Sequence, residues 1–146
     1  MTFSLGRKSL AELQGVHTDL IAVVKRAIQI TAQDFAVDDG IRTVQEQCEH
    51  VRRGASKTMN SKHLKQKDGY GHAVDLVPYI NGQLRWEWRP IYAIAEAMRQ
   101  AAGELGVVIH WGGFKGFARL TGTTGRIVTH TGWDGPHFEL GPRYRA

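Results

Sequence analysis

The most apolar strand-like stretch of the chain, AVDLVPYI at 73–80, carries an aspartate in its interior and runs into Asn81-Gly82. Val and Ile suit a pleated strand, and Asn-Gly fits the two left-handed positions of a type I′ hairpin. The segment is therefore read as a buried strand that turns back on itself, with Gln83 to Trp88 as its antiparallel return. Along such a strand Ala73 and Asp75 share one face, and Val74 and Leu76 share the other. A carboxylate there is costly unless it is paired or bound to a metal. Asp75 thus marks either a polar site built onto the sheet or a strand-end acceptor of backbone N–H groups.

Around this hairpin the pattern mixes helices and short strands. Ser9 to Gln14 reads as a short helical turn ending before Gly15. Leu20, Val23, Val24, Ala27 and Ile28 recur at helical spacing. They predict an amphipathic helix to about Ile30, with Thr18 as N-cap and Asp19 in its first turn. DFAV at 34–37 reads as a strand stopped by Asp38, Asp39 and Gly40. Arg42-Thr43 opens a second helix, through about Arg53, which Gly54 ends. Residues 55–71 are polar and Lys-rich, a surface loop of the length that usually carries function.

Further on, Pro90 starts a long helix. Its core stripe is Ile91, Ile94, Ala95, Met98, Ala101, Ala102 and Leu105, and Gly106 ends it. VVIHW at 107–111 is another strand, followed by Gly112-Gly113. The Gly/Thr-rich segment 114–131 holds one short strand at 126–129, and His137 to Leu140 is the last strand. Helices combined with antiparallel hairpins give the α+β class, a small central antiparallel sheet flanked by helices. With 146 residues and no repeat or linker, the chain is read as one domain, 1–146.

The formal net charge of +5 attracts polyanions, and nucleic acid, a membrane surface and an anionic bacterial wall all qualify. No run of Lys and Arg exceeds two residues, and no nucleic-acid-binding signature is visible. The single cysteine, Cys48, excludes an internal disulfide framework and reads as a small core residue of its helix. No apolar run approaches the roughly 20 residues of a membrane span. MTFSLGRKSL lacks the apolar region of a signal peptide, so a soluble, cytosolic product is expected.

A hydrolytic metal site takes three protein ligands from His, Asp or Glu and keeps one position for water. It also needs a nearby carboxylate to accept the water's proton. Two distant segments offer this inventory. SKHLKQKDGYGHAVD at 61–75 contains His63, His72 and Asp75; GWDGPHFEL at 132–140 contains Asp134 and His137. Pro136 has a fixed φ and biases Gly135 toward an extended form, which suits a turn presenting Asp134 and His137 to one point. His63, Asp75 and His137 are read as three ligands, with Asp134 as the acid/base beside them. The residues alone leave His72 as a competitor of His63. They also leave open that Asp134 and His137 form only a polar turn.

These segments resemble the zinc peptidases that include phage L-alanyl-D-glutamate endopeptidases (endolysins) and bacterial D-Ala-D-Ala carboxypeptidases and dipeptidases, the VanY-like family. Ser61, His63, Gly71, Ala73 and Asp75 match the signature SxHxxGxAxD. GVHTDLIAVVKRAI, GIRTVQEQ, GASKTMNSKH, AVDLVPYINGQLRWEW and WGG extend the resemblance, toward the endolysin branch, over nearly the whole chain. The resemblance implies Zn²⁺ held by His63, Asp75 and His137, with Asp134 as catalytic base. It implies that Arg42 polarises the scissile carbonyl, for which a permanently charged fork is suited. Ser61 would contact substrate, and Gln47 is a weaker candidate for supporting the substrate site. The bland alternative for Arg42 is an ion pair with Glu46, one helical turn away.

Two departures stand out. His63 and Asp75 are twelve residues apart, wider than the signature, which an insertion around Lys65 to Tyr70 explains. His72 falls on a variable position of the signature and on the strand face opposite Asp75, so His63 is the expected ligand. After WGG, relatives often carry an acidic residue where this chain has Phe114; His110 and His130 are read as structural or rim residues.

The implied function is a peptidoglycan hydrolase cutting the L-Ala–D-Glu bond of the stem peptide. It would be a monomer without a wall-binding domain, nucleic-acid partner or membrane insertion. It would wait in the host cytoplasm and reach the wall after membrane permeabilisation. A D-Ala-D-Ala carboxypeptidase would share the metal site and differ in the pocket. A catalytically silent wall-binding module would have no need of the ligand and base positions.

Overall fold

A computed structural model describes residues 2–56, 58–120 and 126–145. Four helices, α1 (Arg7–Glu12), α2 (Thr18–Ile30), α3 (Val44–Arg52) and α4 (Trp88–Leu105), flank a small antiparallel sheet. Its strands are β1 (Phe35–Asp39), β2 (Ala73–Ile80), β3 (Gln83–Leu84), β4 (Ile109–Trp111) and β5 (His137–Leu140). They lie in the order β1-β2-β5-β4, with β3 paired only to the end of β2. The class is α+β, as the sequence predicts.

The hairpin forms as its residues require: Asn81 and Gly82 adopt φ of 51° and 77°, both left-handed. The return strand is shorter than expected. Glu87 already caps α4, so Pro90 sits third in the helix, where no N–H has an intrahelical partner to lose. α2 packs on α4, and α4 lies against β2 and β4. Val74, Leu76, Phe138 and Trp111 from the sheet interlock there with Val23, Val24 and Ala27 of α2 and Ile94 and Met98 of α4. Leu76 is fully buried. Leu76→Ala is expected to destabilise the fold by about 2–5 kcal/mol, read from the denaturant midpoint at unchanged m-value.

Several local expectations are corrected. The N-cap of α2 is His17, not Thr18: its Nδ1 accepts the Asp19 N–H at 3.0 Å. α1 starts two residues before Ser9 and ends two before Gln14. Leu105 and Cys48 are exposed rather than core, and Gln47 is the residue that α3 buries. β4 begins at Ile109, and no strand forms at 126–129. Residues 121–125 of the Gly/Thr-rich segment lie outside the described residues.

Candidate metal centre

Strand register assembles a polar row on the sheet face turned away from this core. Asp75 of β2 lies directly opposite His137 of β5 and, on its other side, opposite Asp39 of β1. Alternation after Phe35 and Val37 would have sent Asp39 into the core. A register shift between Val37 and Asp39 re-aims it, as β-bulges do. The next row on the same face is Glu139 opposite His110.

The loop carrying His63 reaches this row despite its extra length. Lys65 and Gly71 pair as an antiparallel bridge, and Tyr70 and Gln66 accept the N–H groups of Gln66 and Gly69. The inserted residues thus close on themselves, and His63 Nε2 comes within 3.2 Å of Asp75 Oδ1. His137 Nδ1 approaches the same oxygen at 3.4 Å. Donor atoms of His63, Asp75 and His137 all lie within 4.8 Å of one another and could hold a metal ion. His72 is elsewhere: its Nε2–H donates to Asp68 Oδ2 at 2.7 Å, and its ring packs edge-on against His17.

Neighbouring acceptors orient both imidazoles. A carbonyl only accepts, so the 2.7 Å contact with the Gly40 oxygen puts a proton on His63 Nδ1 and leaves Nε2 facing Asp75. His137 Nε2 donates to Glu139 Oε1 at 2.8 Å, which leaves Nδ1 facing Asp75. This is the arrangement by which an outer carboxylate or carbonyl fixes the tautomer of a metal-binding histidine. Burial alone would raise the Asp75 carboxyl pKa; with no metal, the protonated imidazoles of His63 and His137 outweigh it through charge and hydrogen bonds and hold Asp75 far below the usual carboxylate range. Burial would lower His137; hydrogen bonds with Asp75 and Glu139 instead push it up to about 10.

Arg42 does not pair with Glu46, which closes a capping box with Thr43. Its Nε donates to Asp39 Oδ2 at 2.6 Å, its Nη1 to Gln47 Oε1 at 2.9 Å, and its Nη2 lies 3.5 Å from Asp75 Oδ2. Gln47 is fully buried behind Arg42 and donates to the Thr58 carbonyl and Ser56 Oγ. It braces the loop rather than lining the cleft.

Asp134 sits in the turn before β5. That turn is held by the Trp111 Nε1–H to Gly135 carbonyl bond at 2.6 Å and the Asp134 N–H to Gly112 carbonyl bond at 3.1 Å. A Cβ on Gly112 would collide with the Asp134 backbone, which is why WGG ends in glycines here. Burial raises the Asp134 carboxyl pKa, and the charge of Asp75 adds to it.

A cleft of about 810 Å³ opens over these groups, lined by Arg42, Ser61, His63, Asp75, Asp134 and His137 among others. Ser61 Oγ also accepts the His63 N–H. His110 lines the cleft, whereas His130 stacks on Trp88 of α4 at 3.5 Å. Sequence reasoning missed Asp39, Gly40 and Glu139. Glu139 was within reach, since residues two apart in a strand share a face. Asp39 was not, because its orientation depends on the bulge.

Known proteins resemble the chain along almost its whole length. Residues 1–141 match the family model described as phage L-alanyl-D-glutamate peptidase. The L-alanyl-D-glutamate peptidase of Escherichia phage T5 is 31% identical over 144 residues, 96% of this chain and 99% of that protein. Among solved structures, the Serratia marcescens L-Ala D-Glu endopeptidase ChiX is similar with a TM-score of 0.76 and 36% identity, over 100% of this chain and 95% of that one. With the family model spanning nearly every residue, the chain belongs to the phage L-alanyl-D-glutamate peptidase family.

Proposed function

We propose that the chain is a zinc-dependent peptidoglycan hydrolase of the endolysin type that cleaves the L-Ala–D-Glu bond of the stem peptide. The observation that carries this is the triangle of His63, Asp75 and His137 donors in the cleft, in a chain whose relatives are named for that bond. Ligand bonds of about 2.0–2.1 Å place tetrahedral ligand atoms about 3.3 Å apart, and the separations from Asp75 Oδ1 are 3.2 and 3.4 Å. A mixed imidazole and carboxylate set with room for water suits Zn²⁺. When bound, the ion supplies Lewis acidity, lowering the pKa of a water to about 7 and polarising a carbonyl.

The chain's own residues do the rest. Asp134 accepts the proton of the attacking water and passes it to the leaving amine; its raised pKa makes it a better acceptor than a free carboxylate. Arg42, clamped by Asp39 and Gln47, steadies Asp75 and faces the developing oxyanion. Ser61 contacts substrate at the cleft wall. One catalytic domain over 1–146 acts as a monomer, and the +5 charge favours contact with an anionic wall. No helix among the described residues is long and apolar enough to cross a membrane, in keeping with action on the wall once the host membrane is permeabilised.

The test is direct. Protein carrying one zinc per chain, incubated with a synthetic muramyl stem peptide, should release a peptide with a new D-Glu amino terminus. An intact substrate would refute the reading. Glu139→Ala should weaken zinc binding by about 10- to 100-fold, measured by competition with a chromophoric chelator. Glu139→Gln keeps an acceptor for His137 Nε2–H and should lose less.

A further inference from the structure

The cleft has two chemically different sides. The segment that leads into His63 lines it with Ser56, Thr58, Asn60, Ser61 and Lys62; Phe117, Ala118 and Trp133 also line it, with Phe117 beside His137. The Phe117 ring lies 4.9 Å from that of His137 and 6.3 Å from that of Trp133, and Trp133 is 65% exposed. Among the described residues, two basic side chains line the cleft, Arg42 and Lys62. Arg42 is committed to Asp39, Gln47 and Asp75. Lys62 makes no ion pair or side-chain hydrogen bond with any described residue. Its backbone is nevertheless fixed, because its carbonyl accepts the His72 N–H at 2.8 Å.

Phe117 is held in a conformation that its side chain disfavours. Its φ is 53°, a left-handed conformation that a Cβ disfavours. Its N–H bonds the Phe114 carbonyl and its carbonyl accepts from His110 Nδ1 at 2.7 Å. Backbone strain of this kind persists where the surroundings enforce it, and it clusters at ligand sites. Here it presses an aromatic ring against a candidate ligand.

The substrate of the reading above is equally lopsided. The scissile amide has a methyl side chain on its acyl side. On its amine side is a D-Glu that, when linked onward through its γ-carboxyl, keeps a free α-carboxylate. We propose, resting on that reading, that the stem peptide lies across the cleft with this carboxylate on Lys62 and the alanine methyl against Phe117 and Trp133. Lys62 then selects for the acid, and Phe117 limits the acyl-side residue to a small one.

Three synthetic peptides test this: the L-Ala–D-Glu stem peptide, its α-carboxamide, and the analogue with L-Leu for L-Ala. Wild type should prefer carboxylate over carboxamide by at least about tenfold, as for a lost charged hydrogen bond. Lys62→Met should bring that ratio close to one at wild-type zinc content. Phe117→Ala should relax the preference for Ala over Leu and leave the carboxylate ratio in place. Phe117→Gly, which relieves the positive φ, guards against a folding effect and should do the same. If Lys62→Met keeps the wild-type ratio, or if the Phe117 variants lose it, the orientation is wrong. If wild type cleaves none of the three peptides, the function itself is wrong.

Discussion

Asp134→Asn is expected to lower kcat on the stem peptide by at least about 10²-fold, the usual contribution of a positioned acid/base, with zinc still bound. Asp134 is no member of the donor triangle, so metal content should not change. Its carboxyl pKa is raised, first by burial and then by the charge of Asp75. A carboxyl whose pKa is higher folded than unfolded disfavours the folded state once the pH is high enough to ionise it. At neutral pH the metal-free Asn variant should therefore melt no lower than wild type. Lost turnover at equal zinc and equal or higher Tm separates catalysis from folding. Unchanged turnover would remove Asp134 from the mechanism.

His63→Ala is expected to lose stoichiometric zinc and, with it, turnover down to the level of chelated protein. The comparison that decides is His72→Ala. His72 is as buried as His63, but its partner is Asp68, with His17 Nε2 3.8 Å from the same carboxylate oxygen. Removing it leaves a gap where a buried ring stood, while the exposed Asp68 carboxylate is taken up by water, and should leave zinc in place. Mass spectrometry under native conditions reads the metal and a thermal melt reads the stability. Zinc retained by the His63 variant and lost by the His72 variant would reverse the assignment.

Much of this site was legible because its parts break local rules. An aspartate inside an apolar strand, followed by Asn-Gly, fixes both the hairpin and one face of the sheet. His63, Asp75, Asp134 and His137 then gather as the two segments suggest. What stayed hidden depends on tertiary context. The cap of α2 is a histidine, outside the usual Ser/Thr/Asp/Asn set, so Thr18 looked the better candidate. Asp38 and Asp39 read as strand breakers, yet a bulge keeps them in β1 and delivers Asp39 to Arg42. Cys48 shares the helical pattern of α3, but α3 meets the protein through Gln47, and only the fold determines which face that is. Nothing local announces the positive φ of Phe117.

The most direct test of the central claim is mass spectrometry of purified peptidoglycan digested by the zinc-loaded protein, with and without a chelator. The expected result is stem peptides with new D-Glu amino termini that vanish when the chelator is present. Release of free D-Ala, or D-Glu termini that persist under chelation, would contradict it.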